Sequence, residues 1–193
     1  MTSLRDLVAA YLTAQLTVLV DAPTHIRSDE DVTHPTRVAA RRLRSTVRVF
    51  PELFEVPEAG RLDEELQWWA GVLGDVRDLD VQSERLAAAL DAVPDDLAMG
   101  SLRAQLDAFV TERHGAAMTR LHAAMDSPRY QALDVLFRAW RGEPPFTDAA
   151  DVGAKKAARY VGRADRKTHQ RLAQASKAYR RGEPEADELM HRA

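Results

Sequence analysis

Between His34 and Arg48 the chain reads His-Pro-Thr-Arg-Val-Ala-Ala-Arg-Arg-Leu-Arg-Ser-Thr-Val-Arg, five arginines without one acid. At roughly 100° per residue, His34, Arg37, Arg41, Arg44 and Arg48 fall within about 80° of arc on one helix face. Guanidinium groups are planar forks of donors that fit phosphate or carboxylate oxygens two at a time, so the chemistry this spacing offers is anion binding. His34 adds a further donor. A solvated helix face normally mixes signs, because opposite charges at i,i+4 stabilise it and like charges repel. A ridge of one sign therefore costs stability unless something anionic lies against it. The plainer alternative is an arginine-rich surface helix whose stems lie along apolar surface.

A second cationic stretch spans about Ala149 to Arg181. Lys156, Arg159, Arg163, Arg166, Lys167, Gln170, Gln174, Lys177 and Arg181 share roughly 100° of arc, while Ala157, Val161, Ala164, Leu172, Ala175 and Tyr179 lie well away from it. By itself this pattern also suits a coiled-coil arm or a nucleic-acid helix. Residues 34–48 carry 5 basic and no acidic residues, and residues 153–181 carry 10 basic and 1 acidic. Removing these from totals of 27 and 30 leaves 12 basic and 29 acidic residues, so the net charge of −3 hides a strongly acidic remainder. A general DNA coater is more often basic throughout. Two single-sign stripes in an acidic body point to one shared basic cleft whose surroundings reject loosely fitting polyanions.

Two acid and histidine groups invite catalytic or metal readings. Asp75, Asp78 and Asp80 lie close together, but Asp also sits well at a helix N-terminus or opposite arginine, and Arg42, off the cationic stripe, is the expected partner. His114 and His122 are two turns apart without a third ligand or a His-Glu-x-x-His pattern, which suits surface histidines. No metal and no cofactor is expected. Neither a Gly-x-x-x-x-Gly-Lys-Ser/Thr loop nor a Gly-x-Gly-x-x-Gly motif occurs, and no nucleophile–base pair stands out, so no catalysis is expected either. With no cysteine, disulfides, zinc fingers and thiol chemistry are excluded, and a reducing, cytoplasmic location is compatible.

The elements that must position these residues are helical. Every apolar segment of useful length has 3.6 periodicity and none alternates over strand length, so the fold class is all-α. The 193 residues fit one domain. Thr2 or Ser3 can cap a first helix with an apolar face of Leu4, Leu7, Val8, Tyr11, Leu12, Leu16 and Leu19, ended by Asp21-Ala-Pro-Thr. Its apolar run, Leu7 to Val20, is too short to span a bilayer, and no signal peptide or membrane partner is expected. Pro35 suits the first turn of the cationic helix, where its missing N–H had no partner to lose. Ala39, Ala40, Leu43, Val47 and Phe50 form that helix's burying face.

A third helix begins near Arg61, with Leu66, Trp69, Leu73 and Val76 as its buried stripe and at most one of Trp68 and Trp69 central. In Gly71-Val-Leu-Gly74 the two glycines would let another helix approach closely. A long helix then runs through Leu102, Leu106, Phe109 and Val110 toward Leu121 and Met125. Ser127-Pro128 caps the next, with Tyr130, Leu133, Leu136 and Phe137 inward.

Two of these motifs together resemble the CHAD domain (conserved histidine α-helical domain). They are His34-x-x-Arg37-Val-Ala-x-Arg41-Arg42-Leu-Arg44 and Gly71-Val-Leu-Gly74-x-x-Arg77-Asp78-Leu-Asp80-Val81, in that order. The resemblance implies antiparallel helical bundles with an internal pseudo-repeat around a basic central cleft, with the first half at about 1–126 and an incomplete second half at about 127–193. It implies that inorganic polyphosphate is bound without catalysis, possible granule association included, by His34, Arg37, Arg41, Arg44, Arg48, Lys156, Arg159, Arg163, Arg166 and Lys167. His191 would be the second-half counterpart of His34, without its arginine ladder. An RNA- or DNA-binding module, or a protein docking an acidic partner, remains as the alternative; base readout normally adds stacking aromatics or Asn/Gln, and only Gln170 and Gln174 fit.

Overall fold

The chain folds into helices, as its periodicity requires. The computed structural model describes residues 3–92 and 100–181, leaving out the side chains at 100–102, 154–157, 160, 164, 167, 168, 171 and 175. The helices are α1 (Leu4–Arg27), α2 (Thr33–Val49), α3 (Val56–Asp91), α4 (Gly100–Met125), α5 (Pro128–Gly142) and α6 (Ala154–Arg180). Single 3₁₀ turns occupy Pro51–Leu53 and Asp148–Ala150, and no strand occurs among the described residues.

Ser3 starts α1 with a capping box: its hydroxyl accepts from the Asp6 N–H at 3.1 Å, and its own N–H donates to Asp6 Oδ2 at 2.8 Å. Leu12, Leu16 and Leu19 are buried as expected, but Leu7 and Tyr11 are exposed, because the buried arc of α1 is narrower than its apolar one. The helix also runs past the expected stop. Pro23 lies inside it, and burial of Ala22 and Ile26 on either side offsets the hydrogen bond the proline removes. At 24 residues α1 is therefore long and apolar enough to cross a membrane, contrary to the shorter expected span. Here it packs against α2 and α5 as a core helix.

α3 begins five residues earlier than the sequence suggested, with Pro57 in its first turn where no N–H is needed. Leu62, Leu66, Trp69, Leu73 and Val76 are buried along it, and Trp68 is left at the edge under the Arg129 guanidinium, 4.4 Å from its ring. Each of α2, α3 and α4 packs on its chain neighbour, while α5 returns to α1 and α4. Ser127 caps α5, accepting from the Tyr130 N–H at 3.2 Å. Tyr130, Leu133, Phe137 and Trp140 of α5 then join the same hydrophobic core as α1–α4.

The segment after α5 is stitched back across the α2–α3 turn. The Glu55 N–H donates to the Pro145 carbonyl at 2.9 Å and the Thr147 N–H to the Leu53 carbonyl at 3.0 Å, while Phe54 lies against Phe146 and Trp140. The start of α6 is tied to α1: the Leu4 N–H donates to the Val152 carbonyl at 3.0 Å, and Arg5 grips Asp151 through two nitrogens. Beyond that anchor, Val161, Leu172 and Tyr179 on the apolar side of α6 are about half exposed or more. The expected helix after Gly182, and with it His191, lies outside the described residues.

Candidate anion-binding site

α2 has a sharply divided surface. Thr36, Ala39, Ala40, Leu43 and Val47 are buried, which forces the arginines of the other positions to the rim. α3 runs antiparallel along that rim, as the pairings show: rising numbers on α2 meet falling numbers on α3. Arg37 Nη1 donates to Asp78 Oδ1 at 3.0 Å. Arg44 Nε donates to Asp63 Oδ1 at 2.8 Å, and Arg44 Nη2 reaches Gln67 Oε1 at 2.7 Å. Arg48 Nε lies 3.0 Å from the same Asp63 oxygen. The anion that a one-sign ridge demands is thus partly supplied from within the chain.

Arg41 is different. It is exposed and has no ion pair among the described residues, and the same holds for His34 about two turns before it. Opposite this stretch α3 presents Gly71 and Gly74. A Cβ built on Gly71 would meet nothing within 4 Å, so the glycine opens space rather than admitting a helix. A Cβ on Gly74 would lie 3.6 Å from the Arg37 guanidinium carbon, so this glycine leaves room for a side chain rather than for a backbone. Both observations correct the expectation of close helix approach.

Arg42 also departs from expectation. It does not pair with the aspartates of α3: it is exposed, roughly 140° round from Arg37, and borders a shallow depression with Tyr11 of α1. The face of α2 that meets α3 is the cationic stripe itself, so Arg37 takes Asp78. Asp80 instead lies 3.1 Å from His114 Nε2 and 3.8 Å from Arg77 Nη1. His114 is partly exposed, but His122 is half-buried with its Nε2 enclosed and unpartnered, so only the former behaves as a surface histidine. Among the described residues no group of three His, Asp or Glu is arranged to hold a metal ion.

On α6, Arg159, Arg163 and Arg166 are exposed, and the Lys156 and Lys167 side chains lie outside the described residues. What sequence reading missed on α3 is the complementary row Asp63, Gln67, Gly71, Gly74 and Asp78. Its spacing of 4, 4, 3 and 4 is itself a helix face, legible once α3 is set antiparallel to α2.

Fold and site together define an all-helical bundle protein with a cationic helix edge partly clamped by its neighbour's carboxylates. A family model described as the CHAD domain matches residues 10–193, and the chain belongs to that family. It is 34% identical over 146 residues to the uncharacterized proteins Rv2226 and MT2285 of two Mycobacterium tuberculosis strains, H37Rv and CDC 1551. Those matches cover 69% of this chain and 28% of each relative. Among solved structures, PptA from Streptomyces chartreusis superposes with a TM-score of 0.74 at 25% identity, covering 92% of this chain and 61% of PptA. The chain thus spans less than two thirds of the length of each of these relatives.

Proposed function

We propose that the chain binds inorganic polyphosphate without hydrolysing it, through the α2 arginine row and the α6 cationic stripe bordering one basic cleft. Membership of a family associated with polyphosphate supports the ligand class. The observation that carries the reading is the α2 rim itself. Four arginines stand in file over about three turns; Asp63 meets two of them at Nε, and Gln67 takes one terminal nitrogen of Arg44. A polyphosphate is a flexible line of like charges, so its affinity comes from successive guanidinium contacts and from counterion release. The acidic remainder of the chain opposes polyanions that fail to engage the row. The chain has no recognisable phosphate-loop or nucleophile–base motif, and this supports binding without turnover.

The test is a filter-binding comparison of long polyphosphate, RNA and duplex DNA at physiological salt, with orthophosphate release assayed in parallel. Preference for polyphosphate with no release is the expected result. Tighter binding of RNA or DNA would transfer the arginine row to nucleic acid. Steady orthophosphate release abolished by one point mutation would make the protein an enzyme.

A further inference from the structure

The two carboxylates facing the arginine row engage it in different ways. Asp63 accepts the Nε–H of Arg44 and lies 3.0 Å from the Nε of Arg48; its side chain is 20% exposed. Nε is the inner nitrogen of the guanidinium fork, so this contact fixes the plane of each group; Gln67 takes Arg44 Nη2 at 2.7 Å, which leaves Arg44 Nη1 and the outer nitrogens of Arg48 outside these contacts. Asp78 takes an outer nitrogen, Arg37 Nη1, through one contact at 3.0 Å, and its side chain is 66% exposed. Outer nitrogens are the ones that phosphate oxygens engage bidentately. An exposed single-contact pair is worth little, while a partly buried carboxylate shared by two guanidiniums is costly to strand.

We propose that Asp78 is a stand-in for phosphate on Arg37, displaced when polyphosphate binds, whereas Asp63 stays in place as a positioning residue for Arg44 and Arg48. The proposal rests on the polyphosphate reading above. Before binding, Arg41 is the arginine of the α2 row with no ion pair among the described residues, and Arg37 lies one turn away behind its carboxylate. A phosphate already held at Arg41 brings its neighbours to Arg37 at high effective concentration, so exchange with Asp78 becomes an intramolecular step. A lone anion has no such advantage and trades one contact for another. Asp78 thereby favours polymers over single anions at this position.

The same charge change should act with opposite sign at the two sites, which a purely structural or purely electrostatic account does not give. The experiment is a salt titration of long-polyphosphate binding to the unaltered chain and to Asp78→Asn, Asp63→Asn and Asp75→Asn, with a thermal melt of each. Asp75 is an exposed α3 acid with no ion partner among the described residues, and it reports the general effect of removing one negative charge. Asp78→Asn should tighten binding about two- to fivefold beyond Asp75→Asn, the range of an exposed ion pair. It should also steepen the log–log salt dependence by about one unit, because Arg37 then releases a counterion rather than a carboxylate. Asp63→Asn should weaken binding about twofold or more. If Asp63→Asn melts too early to assay, the Asp78/Asp75 comparison decides alone. Equal behaviour of Asp78→Asn and Asp75→Asn, with the unaltered chain binding normally, overturns the exchange and leaves the polyphosphate reading intact. Absence of binding by the unaltered chain removes both.

Discussion

The Arg37 guanidinium lies over the bare backbone of Gly74, its carbon 3.6 Å from where a Cβ there would stand. That distance is ordinary van der Waals contact, so alanine fits and should stabilise α3 by up to about 1 kcal/mol through helix propensity. A branched, longer side chain does not fit without pushing the Arg37 guanidinium out of the α2 row. Gly74→Ala should therefore keep polyphosphate binding and raise the melting temperature, and Gly74→Leu should weaken binding. Loss of binding in Gly74→Ala would show that Arg37 depends on the glycine for more than room.

Arg41 and Arg42, adjacent in sequence, should separate in function. Arg41→Ala removes an exposed, unpaired member of the row, so the melting temperature should hold while binding weakens and the log–log salt slope flattens by about one unit. Arg42→Ala should leave stability within about 0.5 kcal/mol, since no carboxylate of α3 depends on it. Arg44→Ala should lower stability by about 1 kcal/mol, because Asp63 and Gln67 both lose a donor. A melt and a salt titration on the three variants check this ordering; early melting of Arg42→Ala would restore a partner to it.

The helical class, the buried stripe of α3 and the cationic face of α2 were legible because each depends on the period of one segment. Leu66, Trp69, Leu73 and Val76 had to share a face whatever lay opposite. The pairings were not legible, since they depend on the direction and register of α3 against α2. Arg42 looked like the partner of Asp78 only while that register was unknown; once α3 lies along the cationic rim, Arg37 is the residue in reach. The continuation of α1 past Pro23 was hidden for a related reason. A proline's local cost is visible in sequence, whereas the burial of Ala22 and Ile26 that offsets it comes from helices far along the chain.

Acid should loosen the junction between α1 and the start of α6. The hydrogen bond from Arg5, reinforced by its charge, holds the Asp151 carboxyl below its ordinary range, and the Ser3 backbone N–H does the same for Asp6. A depressed carboxylate contributes stability that is present above its unfolded value, about 3.9, and is lost as pH falls through the folded one. Hydrogen exchange at the Leu4 amide, which donates to Val152, should therefore speed up relative to core amides below about pH 4. In Arg5→Gln the Asp151 part of that pH dependence should be gone. An unchanged Leu4 exchange profile in this variant would mean that the junction is held by the cap and backbone alone.

Tyr130 provides a test of the core. It is buried, its ring centroid lies 4.5 Å from that of Trp69, and its hydroxyl has no hydrogen-bond partner among the described residues. Burial pushes the phenol well above its ordinary value. The folded chain consequently keeps this proton at pH values where the unfolded chain releases it. Stability from the raised phenol is complete below about pH 10 and declines as pH rises beyond it. Tyr130→Phe retains the ring and removes an unsatisfied polar group, so near neutral pH it should be neutral or stabilising by about 1 kcal/mol. It should also flatten the alkaline fall in stability. Tyr130→Ala removes the ring and should cost about 3–5 kcal/mol. Denaturant melts of both variants at neutral pH and above pH 10 make the comparison. A Tyr130→Phe variant destabilised by 1 kcal/mol or more, in the sense of a lost hydrogen bond, would show that the hydroxyl is satisfied in solution.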